Sequence, residues 1–402
     1  MKKRITYFDL AKGIGIILVV LGHMENINTG LRVWISSFHM PLFFVVSGML
    51  MAAKNEVSLC PDNDVIDMKA LTIKKAKGIL VPYFWFSLIY VPIDIMNLYI
   101  DNVTPHTFVQ NLLDSLTLSG ISVMWFLPAL FIAEVVAIWL ITQCYSAISN
   151  KLLVKSFPKY QNAIAYVVLV VIALIISILS FELWSGIRPY YDANSNNYVV
   201  CTLLGFVRVI FRGICMSFHV VTGFVLFKIV AYIEELYTNK KKKSSNESKI
   251  NKELRGYSLA LSVILFVINY GLCMKNDAVD NHFLTLNNLA IYYTCAFLGS
   301  VAIIMFCKGF DSIKPIDFLG QNSLIIMATH LQCYLLYAGI LIALSIDRYV
   351  TRAKSYVYMF NSVLFTMIFE TIVILIINNY FPFITGKGTI KDFLKNFVKK
   401  NR

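Results

Sequence analysis

Apolar residues along this chain come in blocks of helical length, separated by short polar segments. About 20 residues at a rise of 1.5 Å each cross a hydrocarbon core of about 30 Å. By that measure the pattern predicts ten membrane-spanning helices, near residues 10–26, 33–52, 79–98, 122–146, 162–181, 213–233, 257–274, 288–307, 319–344 and 357–380. One further run, 199–212, is apolar but carries Arg208 and Arg212. As a separate span it would invert everything after it and put Lys240 to Lys243 outside, so it is predicted to be an interfacial or re-entrant helix. The expected fold class is an all-α polytopic membrane bundle.

Composition agrees with the pattern. Hydrophobic residues make up 58% of the 402 and charged residues 15%, too little polar surface for a soluble chain of this length. The net charge of +13 would suit a nucleic-acid partner if it were clustered on one face. Instead, 27 of the 36 Lys and Arg fall in alternate inter-span segments and the two termini. Under the positive-inside rule this predicts a multi-pass protein of the cell membrane with both termini cytoplasmic. Residues 1–385 read as one membrane domain with a flexible cytoplasmic linker near 238–256. Residues 386–402 read as a basic amphipathic tail, with Ile390, Phe393, Leu394 and Phe397 at helical spacing among lysines. The first span lacks a small-residue cleavage site, and His23 and Glu25 interrupt the place for one, so it is not read as a signal peptide.

Ionisable residues inside spans are costly and point to function. Lys12 and His23 are eleven residues apart, which puts them on one helix face about 16 Å apart along the axis. Asp9 is an i,i+3 partner for Lys12. His39 opens the second span within Phe38-His39-Met40-Pro41, and Ser47-Gly48 follows, a pair suited to close helix packing. Lys74-Lys75-Ala76-Lys77 precedes the third span, as a topological anchor or as a clamp for phosphates. His330 lies about eleven residues into the ninth span, at a depth close to that predicted for His23. Glu134 and Glu370 also lie within spans. The eight cysteines show no metal or redox spacing and read as small apolar packers, so no metal is expected. No Walker loop, HExxH, GxSxG or dinucleotide fingerprint is present.

Tyr7-Phe8-Asp9-Leu10-Ala11-Lys12-Gly13 leading to Gly22-His23, with Phe38-His39-Met40-Pro41-Leu42-Phe43-Phe44 and Ser47-Gly48, resembles the acyltransferase-3 family of integral membrane proteins. Within it the chain is similar to sugar O-acetylases of bacterial surface glycans, including the fucose-4-O-acetylase-like group. Trp125-Phe126-Leu127-Pro128 and Asn322-Ser323-Leu324 with His330 resemble later family segments.

The resemblance implies a ten-helix bundle that takes an acyl group from a cytoplasmic acyl-CoA, usually acetyl-CoA. The group passes to a hydroxyl of a glycan or lipid-linked sugar. It implies His23 as general base, Lys12 near the donor and Asp9 holding Lys12. Lys74 and Lys77 match an Arg-x-x-Arg motif of relatives and would bind CoA phosphates, though lysine lacks the bidentate geometry of arginine. His39, His330, Ser47 and Trp125 would contact the acceptor, with the two histidines as sharers of proton transfer. The rival class is a secondary transporter or glycolipid flippase, which would show internal repeats and paired broken helices. No repeat is visible in the sequence.

Overall fold

The computed structural model describes residues 4–24, 27–57, 67–100, 102–149, 161–241, 247–350 and 356–387. The described residues form a helical bundle, with a single isolated antiparallel bridge, Asp280 to Thr285. The first half contains α1 (Thr6–Gly22), α2 (Thr29–Ser36), α3 (His39–Ala53), α4 (Met68–Tyr99), α5 (Pro105–Leu116), α6 (Phe126–Ser149) and α7 (Gln161–Ala193). The second half contains α8 (Tyr198–Lys241), α9 (Glu247–Cys273), α10 (Leu289–Phe310), α11 (Lys314–Gln321), α12 (Ser323–Thr329), α13 (Leu335–Val350) and α14 (Tyr356–Tyr380).

Among the described residues, eight helical segments are long and apolar enough to cross a membrane, with α2 and α3 together making one of them. The 17-residue α1 and the broken series α11 to α13 occupy the other two predicted runs. Rows of exposed apolar side chains, such as Val167, Ile175 and Leu179 on α7 and Val263 and Val267 on α9, face outward from the bundle. That surface suits acyl chains rather than water. The chain is an all-α polytopic membrane protein.

Three predicted elements take a different form. The run 199–212 is neither re-entrant nor separate: it is the first third of α8, a single helix of 44 residues. No proline interrupts it, and its two arginines are buried in protein rather than placed at an interface. Arg212 is fully buried and lies 4.9 Å from the Trp125 ring, while Arg208 is 5.0 Å from Tyr191 and 5.4 Å from Phe283. Aromatic faces make such cations tolerable away from water. Because 199–212 adds no crossing, the predicted order of inside and outside segments is unchanged.

The first span ends at Gly22 rather than 26, which makes His23 the residue that caps α1. The ninth span is broken twice. At Asn322 the side-chain amide donates to the Phe318 carbonyl (2.9 Å) and the side-chain oxygen accepts from Asn378 (2.8 Å), bonds that compete with the helical ladder. At 330–334 the chain turns through Tyr334, whose φ is 58°. Polar residues of α4 hold this turn: Gln332 donates to Asp94 (3.2 Å) and the Tyr334 hydroxyl to Asn97 (2.6 Å).

Both flanks of the expected linker are helical. Glu253 of α9 accepts hydrogen bonds from Tyr237 (2.6 Å) and Lys241 (2.7 Å) of α8, while 242–246 lie outside the described residues. The predicted tail lies outside them from residue 388 onward.

Small residues set two close crossings. A Cβ on Gly48 of α3 would strike the Val220 carbonyl of α8, and one on Gly223 would strike the Val45 carbonyl in return. Gly13 of α1 and Gly320 of α11 meet the opposing backbone in the same reciprocal way. Close backbone approach is the usual means of helix association in lipid. These crossings fix α1 and α3, which line one space, against α11 and α8, which do not.

Candidate functional site

That space is a cavity of about 720 Å³, within the range of small-molecule sites. Lys12 and His23 of α1 line it, as do His39 and Ser47 of α3 and Trp125 from the 3₁₀ turn Ser122–Trp125 that leads into α6. Five of the nine predicted site residues therefore share one wall system, although they come from three separate stretches of chain.

At one end, Lys12 Nζ lies 3.0 Å from Asp9, whose other oxygen accepts from Arg4 Nε at 2.5 Å. Asp9 is buried and does not line the cavity; it sits behind Lys12 and holds it. Nearby, the Ser47 hydroxyl donates to Glu134, a cavity residue of α6. Lys75 Nζ reaches the second oxygen of Glu134 at 3.2 Å and Glu56 at 2.8 Å.

The lysines of α4 thus divide their duties. Lys75 is 14% exposed and ties the cavity wall to the polar segment after α3. Lys74 and Lys77 are exposed and do not line the cavity; Lys74 pairs with Glu56 at 2.8 Å. Burial alone would raise the Glu56 carboxyl, but hydrogen bonds from Lys74 and Lys75, with their charges, hold it below its ordinary value.

At the other end, His23 opens to the cavity at the close of α1. His39 Nδ1 lies 2.8 Å from the Ile35 carbonyl. A carbonyl only accepts, so Nδ1 carries the proton and the neutral ring presents a lone pair at Nε2. His330 is fully buried behind the lining, with its ring 5.3 Å from that of His23. The two histidines expected at matching depth thus stand side by side, although a helix break rather than a continuous span places the second one.

Residues with no signal in the sequence complete this end. Asp280, Asn281 and His282, from the loop between α9 and α10, line the cavity together with Arg32 of α2. Asp280 accepts from the backbone N–H of His282 (2.7 Å) and Phe283 (3.3 Å), a local turn that aims the loop inward. His282 stacks on Trp125 with ring centroids 5.5 Å apart and an 11° tilt, and its carbonyl accepts from Arg212 at 2.5 Å. Burial, reinforced by the Arg212 and Arg208 charges, pushes His282 down to about 2, so the ring is neutral at physiological pH. Short polar loops look alike in sequence, so nothing distinguished these residues beforehand.

The arrangement offers a cation at one end, unprotonated imidazole nitrogen at the other and apolar walls between. Such a cavity can shelter a reactive carbonyl and deprotonate a hydroxyl beside it. Among known proteins, the family model described as an acyltransferase domain (acyltransferase-3) matches residues 5–386. No curated protein and no solved structure matches the chain.

Proposed function

Since the chain belongs to the acyltransferase-3 domain family and is thus a membrane acyltransferase, we propose that it moves an acetyl group from cytoplasmic acetyl-CoA to a glycan. The acceptor is a hydroxyl of a surface glycan or lipid-linked sugar, and the setting is the cell membrane with both chain termini cytoplasmic. One observation carries this reading: Lys12, midway along α1, and His23, its C-terminal cap, line the same cavity, with His39 lining it too.

His23 takes the proton from the acceptor hydroxyl as its oxygen attacks the thioester carbonyl. The new C–O bond forms, the C–S bond breaks, and the thiolate of CoA leaves with the proton that His23 returns. Lys12, held by Asp9, lies toward the donor, where it steadies negative charge on the thioester oxygen or on CoA. Lys74 and Lys77 meet the CoA phosphates outside the cavity. Trp125, Ser47 and His39 contact the reacting groups within it, and the stacked His282 extends the Trp125 surface for a sugar face.

The transporter reading gains some support from the breaks at 37–38 and 330–334, each of which positions a histidine. Family membership favours the transferase.

The test supplies labelled acetyl-CoA to membranes containing the wild type or His23→Ala and measures acetate on glycan. Label with the wild type and a loss of about 10²-fold or more in the variant are expected. Equal labelling in both sinks the role of His23.

A further inference from the structure

His330 has a feature that its burial makes expensive. Its Nδ1 lies 2.7 Å from the Ile326 carbonyl, so the proton is there and Nε2 holds a lone pair. That Nε2 is buried and has no hydrogen-bond partner. A buried acceptor left unpaired is costly and is tolerated where the atom has work to do. The neighbouring polar ring is His23, with centroids 5.3 Å apart. A hydrogen bond of about 3 Å between ring nitrogens, plus about 1 Å of ring on each side, gives nearly that separation. His23 stands past the last helical residue of α1 and lines the cavity, so a turn of its ring about χ can bring a nitrogen toward His330.

We infer that His330 is a positioning residue for His23: its Nε2 accepts an N–H from His23 and so fixes the His23 tautomer whose other nitrogen faces the acceptor hydroxyl. The same bond strengthens when His23 takes up the substrate proton, because the donor is then cationic. The segment is built to hold this pose. Leu336 N–H donates to the His330 carbonyl (2.8 Å), Tyr90 donates to the Ala328 carbonyl, and Thr329 donates to Glu370 at 2.7 Å. The inference rests on His23 as the base.

Other ionisable groups face this pair. Asp280 and Arg32 are the charges that act on His23, His39 shares its cavity, and Glu370, Tyr90 and Cys333 flank the His330 segment. Asp280 is the obvious competitor for the same N–H, so the experiment includes it.

Initial rates of acetyl transfer to glycan are measured against donor concentration and pH in membranes carrying His330→Phe, His330→Gln or Asp280→Asn, normalised to folded protein. His330→Phe keeps ring shape without a lone pair. It is expected to lower the saturated rate about 10- to 100-fold with an unchanged donor KM. Its acid limb should move to lower pH, because an accepting neighbour favours the protonated His23. His330→Gln places an amide oxygen near the lost Nε2 and should recover most of the rate. If the Phe variant does not accumulate, His330→Asn, whose amide lies at the Nδ1 position, replaces it and should be slow.

A Phe variant with wild-type rate and limb overturns the inference, as does a Gln variant as slow as Phe or Asn. A limb moved by Asp280→Asn alone assigns the role to Asp280 and overturns it too. With His23→Ala inactive, these outcomes leave the base standing; an active His23→Ala removes both readings.

Discussion

Which lysine of a run enters a protein is decided by helix rotation, and Lys74-Lys75-Ala76-Lys77 shows the consequence. At about 100° per residue, Lys75 points away from its neighbour, and it alone of the three forms ion pairs with both Glu56 and Glu134. Lys75→Met would leave Glu134 near-buried without a cation and Glu56 with Lys74 alone, at a cost of about 3 kcal/mol, seen as a lower thermal midpoint in detergent. Lys74→Ala with Lys77→Ala should leave that midpoint nearly unchanged while raising KM for acetyl-CoA more than it lowers kcat. An unchanged KM would return these two exposed lysines to service as topological anchors. The one-dimensional pattern shows three cations and their side of the membrane. It does not show the phase of α4 about its axis, so Lys75 could not be singled out. Lys12 and His23 were legible for the opposite reason: their spacing fixes a shared face whatever the phase.

Between helices, close packing is the controlling term. The α3–α8 crossing depends on Gly48 and Gly223, where added Cβ atoms would collide with backbone and not with a yielding side chain. Gly48→Ala is expected to cost about 1–3 kcal/mol and to lower the thermal midpoint. Gly78→Ala is the matched control, since a Cβ there meets nothing within 4 Å. It should be neutral or stabilise α4 by up to about 1 kcal/mol. Equal losses in both variants would refute the crossing as described. At this scale the sequence is a partial guide. Apolar runs located the helices, and Ser47-Gly48 announced a close contact. The breaks in α11 to α13 were hidden because Asn322, Gln332 and Tyr334 act through partners on α14 and α4, far away in sequence. The continuity of α8 was hidden because an arginine in an apolar run reads as interfacial until its aromatic partners are known.

For the molecule as a whole, the order of crossings governs which compartment each cavity end meets. With 199–212 joined to α8, the C-terminal end of α8 and the Asp311–Ile313 turn after α10 belong to one side, and the 274–288 loop to the other. In a background without reactive cysteines, Asp277→Cys should react with an impermeant thiol reagent added outside intact cells. Lys240→Cys and Ser312→Cys should react only after permeabilisation. The reverse pattern would turn the protein over and exchange the proposed donor and acceptor ends. Charge bias already suggested this orientation, because it needs only the count of basic residues between spans. The meeting of Lys12, His39, Trp125 and Asp280 at one cavity needed the fold itself, since no local pattern encodes contacts between distant segments.

The long helix α8 also serves as a ruler. One mark on it is Arg212, against Trp125 and the His282 carbonyl of the 274–288 loop, and another is Gly223, at the crossing with α3. Eleven residues separate the marks, about 16 Å of rise, the same interval that separates Lys12 from His23 on α1. The two helices thus carry matching intervals, one along the cavity wall and one outside its lining, each about half of a 30 Å hydrocarbon core. On the proposed reading, an acyl group moving from the Lys12 level to the His23 level covers half the membrane within the protein.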